Sequence, residues 1–328
     1  MTLDGLRAET KRFRDTLDVL ARELAKVVVG QDPVIDHVLC GLVCGGHILL
    51  EGAPGLGKTL LVKTLAEAVS LSYSRIQFTP DLMPADITGT NVVVEDRGQR
   101  SFRFQPGPVF TNILLADEIN RATPKTQSAL LESMQESAVT VAGERHPLPD
   151  PFCVLATQNP IEMEGTYPLP EAQLDRFLFK ILVPFPSLSD LARVLDQTTG
   201  NALPHVKPLV DAQTLLAFRA LAREVVLAPE IRDRAAQIIL LTHPTTKGAP
   251  ERVRRFVRYG ASPRGAQSLV TAAKVRALRH GRAQVDFEDL HALAAPTLRH
   301  RIILNFEGEA EGLNMDDLIA DLLKSSLR

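Results

Sequence analysis

Hydrophobic residues along the chain follow two alternating patterns. Short apolar runs bounded by polar or turn-forming residues are typical of buried strands in a parallel sheet. Such runs predict strands at residues 47–51, 75–78, 112–117, 153–157 and 179–183. Between them, apolar residues recur at helical spacing and predict helices at residues 58–69, 124–137 and near 170–176. The alternation predicts an α/β fold, in which a parallel sheet is flanked by helices.

Helical periodicity also covers both ends of the chain. It predicts a helix over residues 3–28 that ends at Gly30, and a second helix over residues 33–43 with Asp32 as its cap. The prolines Pro184 and Pro186 indicate a stiff boundary. Beyond it, the pattern predicts helices at residues 188–197, 212–225, 230–241, 263–278 and 287–300. We therefore predict two domains: residues 1–186, the α/β core with its N-terminal helix, and residues 187–328, a smaller all-α domain.

The sequence does not decide the role of two predicted β-hairpins and of one arginine-rich segment. Residues 91–95 and 101–104 flank a turn at Asp96-Arg97-Gly98, and residues 138–141 and 144–146 flank Gly143, so each pair predicts a β-hairpin. A hairpin of this kind is either an ordinary surface feature or a functional insertion. Residues 251–282 contain many arginines, which are either solvated helix faces or contacts to phosphates or to an acidic neighbouring subunit.

Composition sets limits on function and location. The chain has 328 residues, of which 45% are hydrophobic and 23% charged, and a net charge of −2, so charge gives no argument for nucleic-acid binding. Cys40, Cys44 and Cys153 lack the partners of a zinc site, and we interpret them as buried thiols. So few, unpaired cysteines fit a reducing compartment, and we expect a cytoplasmic protein. Neither a signal peptide nor a run long enough to span a membrane is evident.

The stretch Gly52-Ala53-Pro54-Gly55-Leu56-Gly57-Lys58-Thr59 has the spacing of a phosphate-binding loop. Its glycines allow backbone N–H groups to converge on phosphate oxygens. Lys58 is placed to reach the β- and γ-phosphates, and the Thr59 hydroxyl can coordinate Mg²⁺. A predicted strand precedes the loop and a predicted helix follows it, which is the context that the motif requires. The sequence therefore predicts binding of a nucleoside triphosphate with Mg²⁺.

Polar residues at the ends of two other predicted strands complete this site. Asp117 and Glu118 end an apolar strand, where Asp117 can bind Mg²⁺ and Glu118 can orient or deprotonate a water. Asn159 follows the next strand and can position that water or the γ-phosphate. The alternative is that all three are solvated residues at strand ends, and the phosphate loop earlier in the chain favours the functional interpretation.

Two arginines are candidates to neutralise charge on a transferred phosphoryl group. Arg176 lies just before the last predicted strand, within Leu174-Asp175-Arg176-Phe177. Arg264 lies in the first turn of a helix that Ser262 is expected to cap and that Pro263 begins. A single arginine is more often a surface ion-pair residue, so these roles depend on the motifs around them.

These motifs occur in the order found in AAA+ ATPases, and two longer strings resemble the MoxR branch of that family. The first begins with Leu115-Ala116-Asp117-Glu118-Ile119-Asn120-Arg121-Ala122 and continues from Pro124 to Glu132. The second runs from Ala156 to Glu162 and from Gly165 to Phe177. The resemblance covers nearly the whole chain. It implies an AAA+ P-loop NTPase core with β-hairpin insertions, followed by a smaller all-α lid domain.

The resemblance implies which residues contact the nucleotide. Gly52 through Thr59, with Leu60, correspond to the Walker A motif that binds ATP. Val29, Gly30 and Gln31 are similar to the family segment that contacts adenine largely through its backbone. The two hairpins resemble insertions that face the ring pore in relatives.

The resemblance also implies the catalytic residues. Asp117 and Glu118 correspond to the Walker B acids, which bind Mg²⁺ and activate water. Asn159 corresponds to sensor 1, and Arg176 to an arginine finger inserted into the neighbouring subunit's site. Arg264 corresponds to sensor 2, and the sequence leaves open whether it acts in its own subunit or in the neighbour.

The function implied by the resemblance is Mg²⁺-dependent ATP hydrolysis by a ring-forming protein, expected to be a homo-hexamer. Its work would be chaperone-like remodelling or activation of a client protein, or insertion of a metal cofactor, with a separate VWA-domain partner. Alternatives are a nucleic-acid motor of the related helicase clade, a chelatase-type ATPase subunit, and a nucleotide-gated scaffold with little turnover. The near-neutral charge disfavours the motor.

Overall fold

The computed structural model describes residues 3–96, 99–160, 165–199 and 205–326. At its centre lies a five-stranded sheet in which every neighbouring pair is parallel. Its strands, in spatial order, are β2 (Tyr73–Gln77), β5 (Ile113–Asp117), β8 (Cys153–Gln158), β1 (His47–Glu51) and β9 (Phe177–Leu182). The fold-class prediction is confirmed.

The two strands β5 and β8, inside the sheet, form where the sequence offers residues that are buried on both faces. All five residues of β5 are buried, as are the first five of β8. In register, Leu49 of β1 lies opposite Ala156 of β8, and Leu115 of β5 lies opposite Leu155. Because the strands are parallel, the carboxyl ends of β1, β5 and β8 meet at one edge of the sheet, and the amino end of β9 lies at the other.

Helices cover both faces of the sheet and make up most of the C-terminal part. They are α1 (Leu3–Ala25), α2 (Asp32–Cys44), α3 (Lys58–Ala68), α4 (Pro84–Thr88), α5 (Pro124–Glu136), α6 (Glu171–Leu174), α7 (Leu188–Thr198), α8 (Ala212–Arg223), α9 (Pro229–Leu241), α10 (Glu251–Phe256), α11 (Pro263–Arg279), α12 (Phe287–Leu298), α13 (Phe306–Ala310) and α14 (Met315–Ser326). The cap predicted for α2 is wrong: Asp32 belongs to its first turn, and Gln31 occupies the cap position. The sequence pattern missed α4, α10, α13 and α14.

Two antiparallel hairpins project from the sheet, as predicted. They are formed by β3 (Gly89–Asp96) with β4 (Gln99–Pro106), and by β6 (Ala138–Val141) with β7 (Glu144–Pro147). Phe104 of the first hairpin stacks on His146 of the second, with ring centroids 3.9 Å apart. Val93 and Phe102, which pair across the first hairpin, are 60% and 79% exposed. Arg97 and Gly98 of the predicted turn, and residues 161–164 of the second family-like string, lie outside the described residues.

The arginines of the C-terminal part mostly form ion pairs within the chain. The solvated-face interpretation fits Arg255, whose side chain is 55% exposed, whereas Arg276 and Arg279 are largely buried against carboxylates of the same chain. The pairs are Arg252–Asp321, Arg255–Glu307, Arg276–Asp289, Arg279–Asp18 and Arg282–Asp289. A short sheet, β10 (Val257–Tyr259) with β11 (Ile303–Leu304), closes this region and was not predicted.

One apolar cluster joins α1, α2, α3 and one face of the sheet to the C-terminal helices. It contains residues on both sides of Pro184 and Pro186, and the domain boundary after residue 186 stays a prediction. Cys153 is buried, whereas Cys40 and Cys44 are half-buried, so the prediction of three buried thiols is wrong for those two. None of the helices in the described ranges is long and apolar enough to cross a membrane.

His47, at the start of β1, makes the stability of the fold sensitive to acid. Its Nδ1 accepts a hydrogen bond from the backbone N–H of Val154 at 3.0 Å, and its Nε2 lies 3.1 Å from the carbonyl oxygen of Met134. This arrangement requires the neutral ring with its proton on Nε2. Burial, followed by the charge of Arg219, lowers the pKa of His47 from 6.5 to about 4.

We expect His47 to weaken the fold as the pH falls from 6.5 to about 4. In this window the unfolded chain binds a proton that the folded protein excludes, so the free energy of unfolding drops by up to about 1.4 kcal/mol per pH unit for this group. Above pH 6.5 the full contribution is present. Urea unfolding across this range should show a shallower pH dependence for His47→Gln than for the wild type. Substitution of the exposed His205 is the control, and equal slopes for all three proteins would contradict the assignment.

Candidate active site

The phosphate-binding loop connects β1 to α3 and takes its shape from its glycines. Gly55 and Gly57 have φ angles of +80° and +76°, which residues with a Cβ rarely adopt. Helix α3 begins at Lys58, so its N-terminal N–H groups face the loop. The Lys58 ammonium donates to the carbonyl oxygens of Gly52 and Ala53, the latter at 2.9 Å. Burial lowers the pKa of Lys58, and nearby carboxylates, Asp117 first among them, oppose that shift.

The segment before α2 lies against this loop. The side-chain amide of Gln31 donates to the carbonyl oxygen of Leu56 at 2.7 Å, which ties the predicted adenine segment to the phosphate loop. Gly30 has a φ of +71°, and a Cβ there would lie 2.4 Å from Cγ of Asp190 in α7. Only glycine therefore fits between this segment and the first turn of α7. Val29 is buried beside it.

Asp117, the last residue of β5, is buried and accepts four hydrogen bonds from three polar side chains. Its Oδ1 accepts from the Thr157 hydroxyl at 2.6 Å, and its Oδ2 accepts from the Thr59 hydroxyl at 3.3 Å. The Arg75 guanidinium donates to the same Oδ2 from Nε at 3.1 Å and from Nη2 at 2.7 Å. The Thr59 hydroxyl and Asp117 carboxylate are thus adjacent oxygen donors of the kind that Mg²⁺ prefers.

Glu118 adopts an unusual backbone conformation. Its φ of +57° and ψ of +51° lie in the left-handed region, which costs a residue with a side chain about 1–2 kcal/mol. Three hydrogen bonds hold it there. Its N–H donates to the Thr157 hydroxyl at 2.8 Å, and its Oε2 accepts from Gln77 at 2.8 Å and from Arg121 at 3.0 Å. The turn directs the Glu118 side chain away from the strand and into the cleft beside the loop.

One cleft of about 370 Å³ unites most of the predicted residues. Asn159 is buried at its wall. The lining residues are Pro54, Gly55, Leu56, Gly57, Lys58, Thr59, Leu60, Asp117, Glu118, Thr157, Gln158 and Asn159. The loop, the two acids and the asparagine therefore share one site, because the ends of β1, β5 and β8 lie side by side.

Four side chains of this site were not predicted from the sequence: Arg75, Gln77, Arg121 and Thr157. Arg75 and Gln77 are two residues apart on β2 and so lie on one face of the strand, which pairs with β5. Their Nη2 and Oε1 atoms are also hydrogen-bonded, at 2.8 Å. The signal that the sequence offered for these two residues was a charged and an amide side chain at alternate positions of β2. For Thr157 the signal was its place directly before Gln158-Asn159.

Arg176 and Arg264 lie elsewhere. Both line a second cleft, of about 320 Å³, which also includes Gly45, Gly46 and His47. This cleft is at the amino ends of β1 and β9, whereas the phosphate loop follows the carboxyl end of β1. The six residues of β9 span about 20 Å, so the two clefts are on opposite edges of the sheet. The Arg176 guanidinium donates to the carbonyl oxygen of Leu131 in α5.

This geometry is characteristic of P-loop nucleotide-binding proteins, and sequence comparison identifies the family within that class. Residues 47–179 match the family model described as "ATPase family associated with various cellular activities (AAA)", and residues 249–322 match the AAA lid domain. Chaperone MoxR1 of Mycobacterium tuberculosis is 41% identical over 322 residues, which cover 98% of this chain and 84% of that protein. The chain belongs to the MoxR family of AAA ATPases.

Two further comparisons agree with this assignment. Protein MoxR of Methylorubrum extorquens is 32% identical over 317 residues, covering 89% of each chain. A crystal structure of a Cytophaga hutchinsonii protein, provisionally described as an ATPase, matches with a TM-score of 0.90 and 40% identity over 98% of both chains.

Thr157→Val should destabilise the protein without changing its shape. The valine removes the acceptor for the Glu118 N–H and the donor for Asp117 Oδ1, and of these two residues Asp117 is buried and Glu118 is half-buried. We expect the free energy of unfolding, measured with urea, to fall by about 1–3 kcal/mol. Thr157→Ser keeps the hydroxyl and is the control. Equal stability of the valine variant and the wild type would show that these hydrogen bonds do not hold the acid pair.

Proposed function

We propose that the protein hydrolyses ATP with Mg²⁺ in a site shared between two subunits of a ring. The observation that carries this proposal is the division of the predicted catalytic residues between two edges of the sheet. The loop, Asp117, Glu118 and Asn159 line one cleft, and Arg176 and Arg264 line the other. No movement of a side chain brings an arginine across the roughly 20 Å of the sheet. A second copy presenting its arginine edge to the first copy's loop completes the site.

The residues of the loop cleft fit ATP and Mg²⁺ by the chemistry of their donors. Loop N–H groups and Lys58 bind the phosphates, for which Lys58 exchanges its bonds to Gly52 and Ala53. The Thr59 hydroxyl and the Asp117 carboxylate would hold the metal, and Arg75 orients that carboxylate through its two hydrogen bonds to Oδ2. Bound Mg²⁺ would neutralise charge on the β- and γ-phosphate oxygens.

Glu118 activates the attacking water. Gln77 and Arg121 both donate to its Oε2. These bonds orient the carboxylate and leave Oε1 to accept the proton of the water as it attacks the γ-phosphorus. Asn159, buried at the cleft wall, positions the water or the γ-phosphate. The arginines of the neighbouring subunit, Arg176 and Arg264, stabilise the charge that develops on the transferred phosphoryl group.

A contact between two different edges of identical subunits is head-to-tail and closes into a ring when the rotation allows. We propose a hexamer, on the resemblance to AAA+ proteins. The ring remodels or activates a client protein, with metal-cofactor insertion as one form of this work, and acts with a separate VWA-domain partner. The exposed apolar pair Val93 and Phe102 on the first hairpin supports a protein client over a nucleic acid, since neither side chain can bind phosphate.

Glu118→Gln should abolish turnover while ATP binding persists. The amide keeps the shape of the side chain but cannot accept a proton from water. We expect steady-state phosphate release to fall by at least about 10²-fold, and binding of a fluorescent ATP analogue to change little. Glu67→Gln, an exposed residue of α3, is the matched control. Hydrolysis by the Glu118→Gln protein at the wild-type rate would remove Glu118 from the mechanism.

Specific activity should depend on protein concentration. Dilution below the assembly range separates the loop cleft from the neighbour's Arg176, which is the type of contribution that adds roughly 10³–10⁵ to the rate in GTPases. Phosphate release per subunit, measured alongside sedimentation over the same concentrations, should fall as the ring dissociates. A constant specific activity through dissociation would mean that each subunit hydrolyses ATP alone.

A further inference from the structure

Arg301, just beyond the end of α12, is one of the few buried arginines of the described residues and the one with the most hydrogen bonds. Its side chain is 2% exposed. The guanidinium donates to one carboxylate, to main-chain carbonyl oxygens and to a hydroxyl, and it also contacts His300. Its side-chain partners are Asp175 Oδ1 at 2.8 Å, the Ser268 hydroxyl at 3.1 Å and His300 Nε2 at 3.0 Å. Its main-chain partners are the carbonyl oxygens of Asp175 at 3.2 Å, Phe177 at 2.8 Å, Leu178 at 3.1 Å and Thr297.

These bonds surround Arg176. Arg301 holds the carbonyl oxygens of Asp175 and Phe177, the residues on either side of Arg176, and also the Asp175 carboxylate. The main chain at Arg176 is therefore fixed from both sides. A planar guanidinium can do this because its N–H groups point in several fixed directions at once, which an ammonium cannot reproduce.

The same carboxylate reaches the other arginine. Asp175 Oδ2 accepts a hydrogen bond from the Ser262 hydroxyl at 2.9 Å. Ser262 is the cap of α11, as predicted, and its hydroxyl oxygen accepts from the N–H of Arg264 at 3.2 Å. A chain of hydrogen bonds therefore runs from Arg301 through Asp175 and Ser262 to the first turn of α11.

We propose that Arg301 is a positioning residue that fixes the spacing between Arg176 and Arg264, so that both arginines reach one nucleotide held by the neighbouring subunit. The inference rests on the proposed shared site. Arg176, Arg264, Asp175 and Arg301 all line the same cleft at the amino edge of the sheet. Arg301 is buried behind the half-buried Arg176 and the exposed Arg264, and it acts through them.

A role in stability alone explains less of this geometry. A buried ion pair is usually no more stabilising than well-packed apolar side chains of the same volume, because removing the two charges from water is costly. Arg301 joins three separate segments: the strand start at β9, helix α11 at Ser268 and the end of α12. Such a contact fixes relative positions, and the two segments besides its own are those that carry Arg176 and Arg264.

The test uses Arg301→Lys, which keeps the charge and loses the fork of donors. We expect the homomeric variant to bind ATP as the wild type does, with a KM within about threefold and a kcat reduced by roughly 10²-fold, because misplacement of a catalytic group by about 1 Å has an effect of that size. Arg299→Lys is the matched control. Arg299 also leaves the end of α12 and donates to β9, at the Lys180 carbonyl oxygen, but it has no contact with Asp175. Its kcat should stay near the wild-type value.

Mixing subunits distinguishes positioning from a general loss of structure. Arg301→Lys subunits keep an intact loop and Glu118, whereas Glu118→Gln subunits keep intact arginines. Each alone is expected to have a kcat lower than the wild-type value by about 10²-fold or more. In an equal mixture about one quarter of the sites combine the intact halves, because every head-to-tail contact pairs one loop with one arginine edge. We expect the mixture to recover up to about that fraction of wild-type activity.

The outcomes separate the two proposals. If Arg176→Ala mixed with Glu118→Gln gives no activity, the shared site is wrong. If that mixture is active and Arg301→Lys mixed with Glu118→Gln is not, the shared site stands and the positioning role is wrong. Should Arg301→Lys fail to fold by circular dichroism, Asp175→Asn replaces it, since this change weakens the contacts to both Arg301 and Ser262. An active Asp175→Asn homomer would then overturn the inference.

Discussion

All five strands of the central sheet run in one direction, and the functional geometry of the molecule depends on this constraint. A parallel sheet has a carboxyl edge and an amino edge, and residues that follow strands cannot share an edge with residues that precede them. The loop after β1, the acids after β5 and Asn159 after β8 therefore collect in one place. Arg176, which precedes β9, is on the far side by the same rule. The separation of the two halves of the proposed shared site is thus a property of the topology.

At the carboxyl edge, hydrogen bonds from neighbouring strands offset the free-energy cost of two unfavourable features of the acid pair. Asp117 is a buried carboxylate, and Glu118 has a strained backbone. Thr157 of β8 serves both, as a donor to Asp117 and as an acceptor for the Glu118 N–H. Arg75 and Gln77 of β2 hold the two acids from the opposite side. The acid pair is therefore positioned by the two strands that flank β5.

The sequence was sufficient for features whose members are close together along the chain. The phosphate loop depends on the order of eight residues, from Gly52 to Thr59, and the acid pair on the end of one apolar run. Arg75, Gln77 and Thr157 acquire their roles only when β2 and β8 pair with β5, and no local spacing encodes that pairing. Arg301 is more than a hundred residues from Asp175, its carboxylate partner. The cap of α2 was misassigned because Asp is a preferred cap residue and Gln is not, whereas the side chain of Gln31 is engaged by Leu56, a contact that is not local.

The stacked rings of Phe104 and His146 connect two hairpins that are otherwise separate in the chain. The first hairpin follows β2 and α4, and the second follows α5, which begins shortly after Glu118. The two arms are therefore rooted on either side of the acid pair, and they are joined to each other close to their roots, because Phe104 pairs with Asn91 near the base of the first hairpin and His146 pairs with Val139 near the base of the second. Because the two hairpins are joined, a force on either one acts on the attachment points of both. A pull at the hairpin surface is therefore transmitted to β2 and α5 together.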